Sequence, residues 1–361
     1  MELTAGKRQI KLKQVILFKG RIPLPSTHLN VAQYCGAGYE ESGNRMTKIT
    51  KNEQIEAVTG WWNSGNIRKF DKQYDDWDHE VMRYQNSRQT KVLNFVDELN
   101  LPNGAKILEL GYGAGQTAVK LGQRGFEVHG IDVSDNLCKL AKGRCEKACP
   151  EGKFFLTVGN VESRFNYEDE TFDAVLMVGI MHYLFSADDC LKEVNRVLNS
   201  NGHLIVAQRK VFSMAHFLSM RMLIRSLVYV VCREQYELFP SYKSILCDSN
   251  LGVIFGKFKD TKWMNTKFML KGHDEWKFKL KKRIYDHGKL MSLCKRTDFK
   301  VVGLEGTFFG ISENPKYHKL NVLVGNYLEG RTQNKFNGYL KRLGGVAVIL
   351  CRKREQLDGI N

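Results

Sequence analysis

What this chain lacks narrows its options first. Met1–Gly20 has no uninterrupted apolar segment, because Lys7, Arg8, Lys11, Lys13 and Lys19 punctuate it, so it does not read as a secretory leader. Nor does a later run suit a bilayer. The nearest approach, Phe212–Cys232, carries Arg221 and Arg225, which are too costly at a membrane centre. The nine cysteines are odd in number and have no framework spacing, which predicts reduced thiols in a cytoplasmic compartment. Cys145 and Cys149 are followed by no second pair at zinc-site spacing, so no metal is expected. Two nucleotide-binding patterns are also missing. The third glycine of G-x-G-x-x-G would fall at position 116, where Gln116 stands, and the Gly-Lys-Ser/Thr ending of a phosphate-binding loop is absent.

What is present is E-x-G-x-G-x-G, running Glu109-Leu-Gly111-Tyr112-Gly113-Ala-Gly115, directly after the apolar pair Ile107-Leu108. Lys106–Leu110 reads as a buried parallel strand, the glycines permit a sharp turn and close approach to a ligand, and Gln116–Leu121 starts a helix. The next apolar run, Val128-His-Gly-Ile-Asp132, ends on a carboxylate placed to grip a ribose diol. This is a nucleoside-binding strand–loop–helix unit.

The pattern continues. Phe154–Val158 predicts a third strand and Thr171–Val178 a fourth, while Ala187–Leu198 has apolar residues at helical spacing. Asn199-Ser-Asn-Gly202 reads as a turn and His203–Ala207 as a fifth strand. Ile284–Arg296 fits a helix, Asp298–Glu305 a sixth strand and Gly344–Cys351 a seventh. Strands alternating with helices of this length imply an α/β fold, a parallel sheet covered on both faces, with ligands at the carboxyl ends of the strands.

The glycine loop and the element order resemble the class I S-adenosylmethionine-dependent methyltransferases. The resemblance implies a seven-stranded Rossmann-like sheet with helices on both faces, the seventh strand antiparallel between the fifth and sixth, and an inserted cap. It divides the chain into a peripheral segment 1–45, lid helices 46–100, a cofactor-binding core 101–210, an inserted substrate cap 211–283 and the rest of the sheet in 284–361. Phe70-Asp-Lys-Gln-Tyr74-Asp-Asp-Trp77, before a helix expected over Ser87–Leu99, is similar to the lid helix of small-molecule enzymes related to ubiquinone and menaquinone biosynthesis. For Tyr74, cofactor contact and simple packing are both open; Trp61 and Trp62 read as packing.

By the same resemblance S-adenosyl-L-methionine is the expected cofactor. Glu109, Gly111, Tyr112, Gly113 and Gly115 would hold its methionine end, Asp132 both ribose hydroxyls, and Val133 the adenine face. Asn160 and Val161 would border the adenine rim, with Asn160 standing where relatives usually show aspartate. Val178 and Gly179 would face the methyl group with His182, the best base candidate in the chain; Tyr183 and His203 read as structural and His287 as a surface histidine. The implied reaction is methyl transfer to an oxygen or carbon of a small or lipid-like acceptor. A non-catalytic cofactor-binding protein and an RNA-directed methyltransferase are the alternatives. Val178-Gly-Ile-Met stands where base amino methylation would need Asn/Asp-Pro-Pro-Tyr/Phe, so no nucleic acid is expected as a partner.

Charge is unevenly spread. Residues 1–200 hold 26 basic and 26 acidic side chains, whereas 201–361 hold 29 and 13, so the entire net charge of +16 lies in the second part. Its densest run is Lys277-Phe-Lys-Leu-Lys-Lys-Arg283. Beside the apolar Phe212–Cys232 stretch, such a surface suits peripheral contact with an anionic membrane better than a nucleic-acid footprint, which lacks any recognisable module here.

Overall fold

The structure, a computed structural model, describes residues 49–63, 80–210, 234–238, 243–246, 279–283, 285–307, 309, 318–332 and 341–354. Segment 1–45, Tyr74 with its surrounding motif, Phe212–Cys232 and Lys277 lie outside the described residues. Among the described residues no helix is long and apolar enough to cross a membrane.

Seven strands form the central sheet: β1 (Lys106–Leu110), β2 (Glu127–Asp132), β3 (Lys153–Val158), β4 (Phe172–Val178), β5 (Leu198–Arg209), β9 (Phe299–Thr307) and β10 (Val346–Lys353). Their order is β3-β2-β1-β4-β5-β10-β9. The first five pair in parallel, and β10 lies antiparallel between β5 and β9, as expected for the seventh strand. Chain order reverses between β1 and β4, which opens a crevice at their carboxyl ends.

Alternate residues of the strands feed two cores. On one face Leu108, Val175, Leu204 and Val206 pack with α5 (Ala187–Val197) and α6 (His287–Arg296). On the other Ile107, Leu176, Ile205 and Val348 pack with α2 (Glu80–Glu98), α3 (Gln116–Gly122) and α4 (Asp135–Ala148). Strands buried on both sides are mostly apolar, and β1 and β4 read as near-continuous apolar runs broken by Glu109 and Asp173. Three helix starts are capped by side chains: Ser134 accepts from Leu137 N, Ser186 from Asp189 N and Asp286 from Lys289 N. A further helix, α7 (His318–Thr332), precedes β10.

One element departs from the sequence reading. Asn199–Gly202 is not a free turn but part of β5, where it bulges: Phe172 pairs with Leu198 while Ala174 pairs with His203. The asparagine that signals a turn is instead used in the ladder, Asn199 Nδ2 donating to Asp173 Oδ1 at 2.8 Å. A second, three-stranded antiparallel sheet orders β7 (Lys243–Leu246), β6 (Glu234–Leu238) and β8 (Lys279–Arg283), all inside the stretch expected to be an insertion.

Before the core, α1 (Lys51–Asn63) begins with a capping box. Thr50 N donates to Glu53 Oε2 at 2.6 Å, and Glu53 N donates to Thr50 Oγ1 at 3.2 Å. This helix lies across the carboxyl edge of the sheet. Lys51 Nζ donates to Glu162 O after β3, Gln54 Nε2 to Tyr183 O after β4, and Ser134 Oγ, just after β2, meets Trp62 O and Asn63 Oδ1.

Candidate cofactor and acceptor site

The glycine loop joins β1 to α3 with Gly111, Gly113 and Gly115 all at positive φ. At Gly113, φ is +56° and a Cβ would meet nothing within 4 Å, so the backbone borders open space at the middle of the loop. Its N–H donates to Asp132 Oδ2 at 2.9 Å, and Ser134 N donates to Asp132 Oδ1 at 3.0 Å. The Asp132 carboxylate, nearly buried at the end of β2, is thus oriented by two backbone amides, and each oxygen keeps a lone pair for a ligand hydroxyl. Burial pushes its carboxyl above the usual range against those hydrogen bonds.

Glu109 is 2% exposed on β1, and its Oε2 has no hydrogen-bond partner among the described residues. Burial pushes its carboxyl up to about 8, against the Thr117 hydroxyl that hydrogen-bonds it; Asp132 adds to the rise and the Arg88 guanidinium opposes it. An orphaned carboxylate oxygen under an open glycine loop fits a cationic amine. These residues therefore fit the methionine and ribose ends of S-adenosylmethionine.

The other expected residues divide. Val133 and Val161, expected at the adenine, and Val178, expected to face the methyl group, are all half-buried at the strand ends. Asn160 is half-buried and turns its Oδ1 to Glu162 N at 2.9 Å. Tyr112 presents only its backbone to the loop. Its ring is buried against Gly130 and its hydroxyl donates to Thr157 O at 3.0 Å.

Gly179 follows β4 at φ +77°, and a Cβ there would lie 2.2 Å from Arg88 Nη1. The glycine lets this guanidinium from α2 lie over the loop that carries His182. His182 sits in a single 3-10 turn, Met181–Tyr183, with its Nδ1 beside the Gln208 amide. Burial pulls its pKa down to about 3, and Lys282, Arg88 and Arg209 act in the same direction against the Gln208 hydrogen bond. Its ring lies 3.9 Å from that of Tyr183, which Lys282 Nζ overlies at 5.3 Å and Trp62 meets edge-on at 5.9 Å. Burial thus favours the neutral, hydrogen-bonding form of the imidazole.

Several contributors escaped sequence reasoning: Arg88, Gln54, Asn63, Ser134, Glu162 and Gln208. His287 also differs from expectation. It is half-buried, with Nδ1 3.4 Å from the buried Lys210 Nζ, and is not a surface histidine.

Comparison with known proteins points in the same direction. Residues 108–206 match the model of a methyltransferase domain. That match, with the glycine loop and the strand order, supports a class I S-adenosylmethionine-dependent methyltransferase core. Over 131 residues the chain is 30% identical to a demethylmenaquinone methyltransferase of Tropheryma whipplei, covering 34% of this chain and 53% of the relative. It is 28% identical over 121 residues to the methyltransferase GfsG of Streptomyces halstedii, covering 33% of this chain and 42% of that protein. It is 28% identical over 111 residues to the S-adenosyl-L-methionine-dependent Diels-Alderase iccD of Talaromyces variabilis, covering 30% and 38%. The chain spans about half or less of the length of these relatives.

Proposed function

We propose that this protein transfers a methyl group from S-adenosylmethionine to an oxygen or carbon of a small or lipid-like acceptor. The observation that carries the reading is the pair of carboxylates at the glycine loop, Glu109 with an orphaned buried oxygen and Asp132 held by Gly113 N–H. The cofactor supplies an already activated methyl group. The chain's own tasks are to hold the cofactor, orient the acceptor and exclude water. Glu109 would take the ammonium, Asp132 the ribose hydroxyls, and Val133 and Val161 the adenine. Tyr74 belongs to the same proposal as a lid contact. α1, which crosses the carboxyl edge through Gln54 and Asn63, would roof the site.

The small sheet of β6, β7 and β8 is proposed as part of a substrate cap. β8 supplies Lys282, whose ammonium overlies the Tyr183 ring. The relatives named demethylmenaquinone methyltransferases favour an aromatic, lipid-tailed acceptor. Calorimetry with S-adenosylhomocysteine, followed by release of that product in the presence of a short-chain prenylated naphthohydroquinone, tests the reading. Failure to bind S-adenosylhomocysteine would refute the donor site, and binding without turnover on any hydroxyl-bearing aromatic would refute this acceptor class. The relative named a Diels-Alderase supports a second reading, cofactor binding without methyl transfer, which predicts binding but no product release on any acceptor.

A further inference from the structure

The carboxyl end of β8 is clamped onto the loop after β4. Arg283 Nη2 donates to Phe185 O at 2.6 Å, and the Tyr285 hydroxyl donates to Met181 O at 3.3 Å. The strand packs there against both α1 and the 3-10 turn Met181–Tyr183. Lys282, just before the clamp, is half-buried and holds its Nζ 5.3 Å from the centre of the Tyr183 ring. Arg283 and Tyr285 already brace the strand through main-chain carbonyls, so the charge of Lys282 has another use.

The wall beneath that ammonium is aromatic and adjoins the donor site on two sides. Tyr183 is positioned by Gln54, whose Nε2 donates to its carbonyl at 2.7 Å, and its ring meets Trp62 edge-on at 5.9 Å. Trp62 O accepts from Ser134 Oγ at 2.9 Å, and Ser134 N donates to the Asp132 carboxylate at 3.0 Å. At the other side Ile180 abuts the glycine loop, its Cγ2 lying 2.2 Å from where a Cβ on Gly111 would stand. Arg88 reaches the same loop from α2, its Nη1 2.2 Å from where a Cβ on Gly179 would stand. Cations thus approach the loop from two elements, β8 and α2. Lys282, Arg88 and the exposed Arg209 all act on the His182 ring as positive charges.

An aromatic wall under a half-buried ammonium, in a positive field, suits a flat ring that brings its own negative charge. An amine acceptor would meet repulsion there, and a neutral one would gain nothing from the lysine. Resting on the donor-site reading, we propose that the acceptor is an aromatic acid, its ring set against Trp62 and Tyr183 and its carboxylate paired with Lys282. Lys282 is then a specificity-determining residue: it selects the acceptor by charge and takes no part in the methyl transfer itself.

The test uses the full chain saturated with S-adenosylhomocysteine and titrated calorimetrically with 2-naphthoate, 2-naphthamide and 2-naphthylmethylamine, which present one ring system with negative, zero and positive charge. The naphthoate should bind about ten- to a hundredfold more tightly than the amide, the range of a charge-assisted hydrogen bond, and the amine more weakly than the amide. Lys282→Gln and, independently, Lys282→Met should bring the preference for naphthoate over amide close to unity. Lys282→Arg should keep most of it, with S-adenosylhomocysteine affinity unchanged in all three variants. Equal affinity for naphthoate and amide, binding of neither, tighter binding of the amine, or a preference that survives both neutral substitutions would overturn the proposal. The order of the three probes on the unsubstituted protein tests it without any variant. An unsubstituted protein that fails to bind S-adenosylhomocysteine at all would instead remove the donor-site reading on which it rests.

Discussion

Cofactor affinity should depend on pH through Glu109, and the structure fixes the direction. With its carboxyl at about 8, roughly one Glu109 in eleven is ionised at pH 7 before a cation arrives. The groups around it are the Thr117 hydroxyl from α3, Asp132 from β2 and the Arg88 guanidinium from α2. Of these only Asp132 shares the upward shift, and its oxygens already accept two backbone N–H groups. Placing a ligand ammonium on the orphaned Oε2 selects the carboxylate form. Binding must then expel about one proton per cofactor at pH 6.5, and affinity should weaken about tenfold for each unit of pH below 7. Calorimetry in two buffers of different ionisation enthalpy measures the proton directly. Glu109→Gln should abolish both the proton release and the pH slope. The folding linkage has the opposite benefit: an acid whose folded pKa is raised loses stability as pH climbs from its unfolded value near 4.5 to about 8, so Glu109→Gln should stabilise the free protein most at pH 8 and above. Proton release near zero, with flat affinity between about pH 5.5 and 7.5, would refute the placement of the ammonium.

Asp132→Ala should weaken S-adenosylmethionine binding by about ten- to a hundredfold, the loss of hydrogen bonds to a charged group, and calorimetry would show it. His182→Ala should lower turnover by less than the ~10²–10⁴ characteristic of a general base, with the pH–rate profile unmoved, because the imidazole is neutral throughout the working range. NAD and NADP should not bind in fluorescence titrations, since Gln116 stands where the dinucleotide motif needs its third glycine. If the basic second part of the chain docks on membranes, flotation should occur with anionic but not neutral vesicles and fade at high salt. Neutralising Lys277, Lys279, Lys281 and Lys282 together should then weaken flotation without changing donor affinity, whereas equal, negligible flotation in every condition would leave a merely solvated face.

The donor half of this protein was legible because its chemistry is local. Glu109 and the three glycines lie within seven consecutive residues, and Asp132 follows one strand–helix–strand step later, so period and spacing reveal them without the fold. The strand order was legible for the same reason, each strand being a short apolar run bounded by turn residues. Misreading came where composition and tertiary demand conflict. Asn199-Ser-Asn-Gly202 has every mark of a turn, yet β5 absorbs it as a bulge because Asp173 offers the asparagine a partner inside the sheet.

The long-range contacts at the carboxyl edge of the sheet were not legible, and their separations in the chain show why. Gln54 reaches Tyr183 across 129 residues of chain, Ser134 reaches Asn63 across 71, and Lys210 reaches His287 across 77. None of these pairs has a spacing that a one-dimensional pattern can register. His287 opens a helix whose first residue commonly faces solvent, and Lys210 follows an ordinary core strand. What brings them together is the alternation of β5, which carries the face beneath α6 out to the carboxyl edge of the sheet, where a lysine side chain replaces the aliphatic ones at Leu204 and Val206. An apolar residue there would continue the core without desolvating a charge. The buried amine costs stability, and the cost has a measurable sign: a lysine whose folded pKa is depressed to about 7 penalises folding fully below that pH and progressively less as pH rises toward 10.5. Lys210→Met should accordingly gain stability relative to the unsubstituted protein at pH 6, and that advantage should shrink by pH 10. An advantage independent of pH would place the lysine's charge in water and refute its burial.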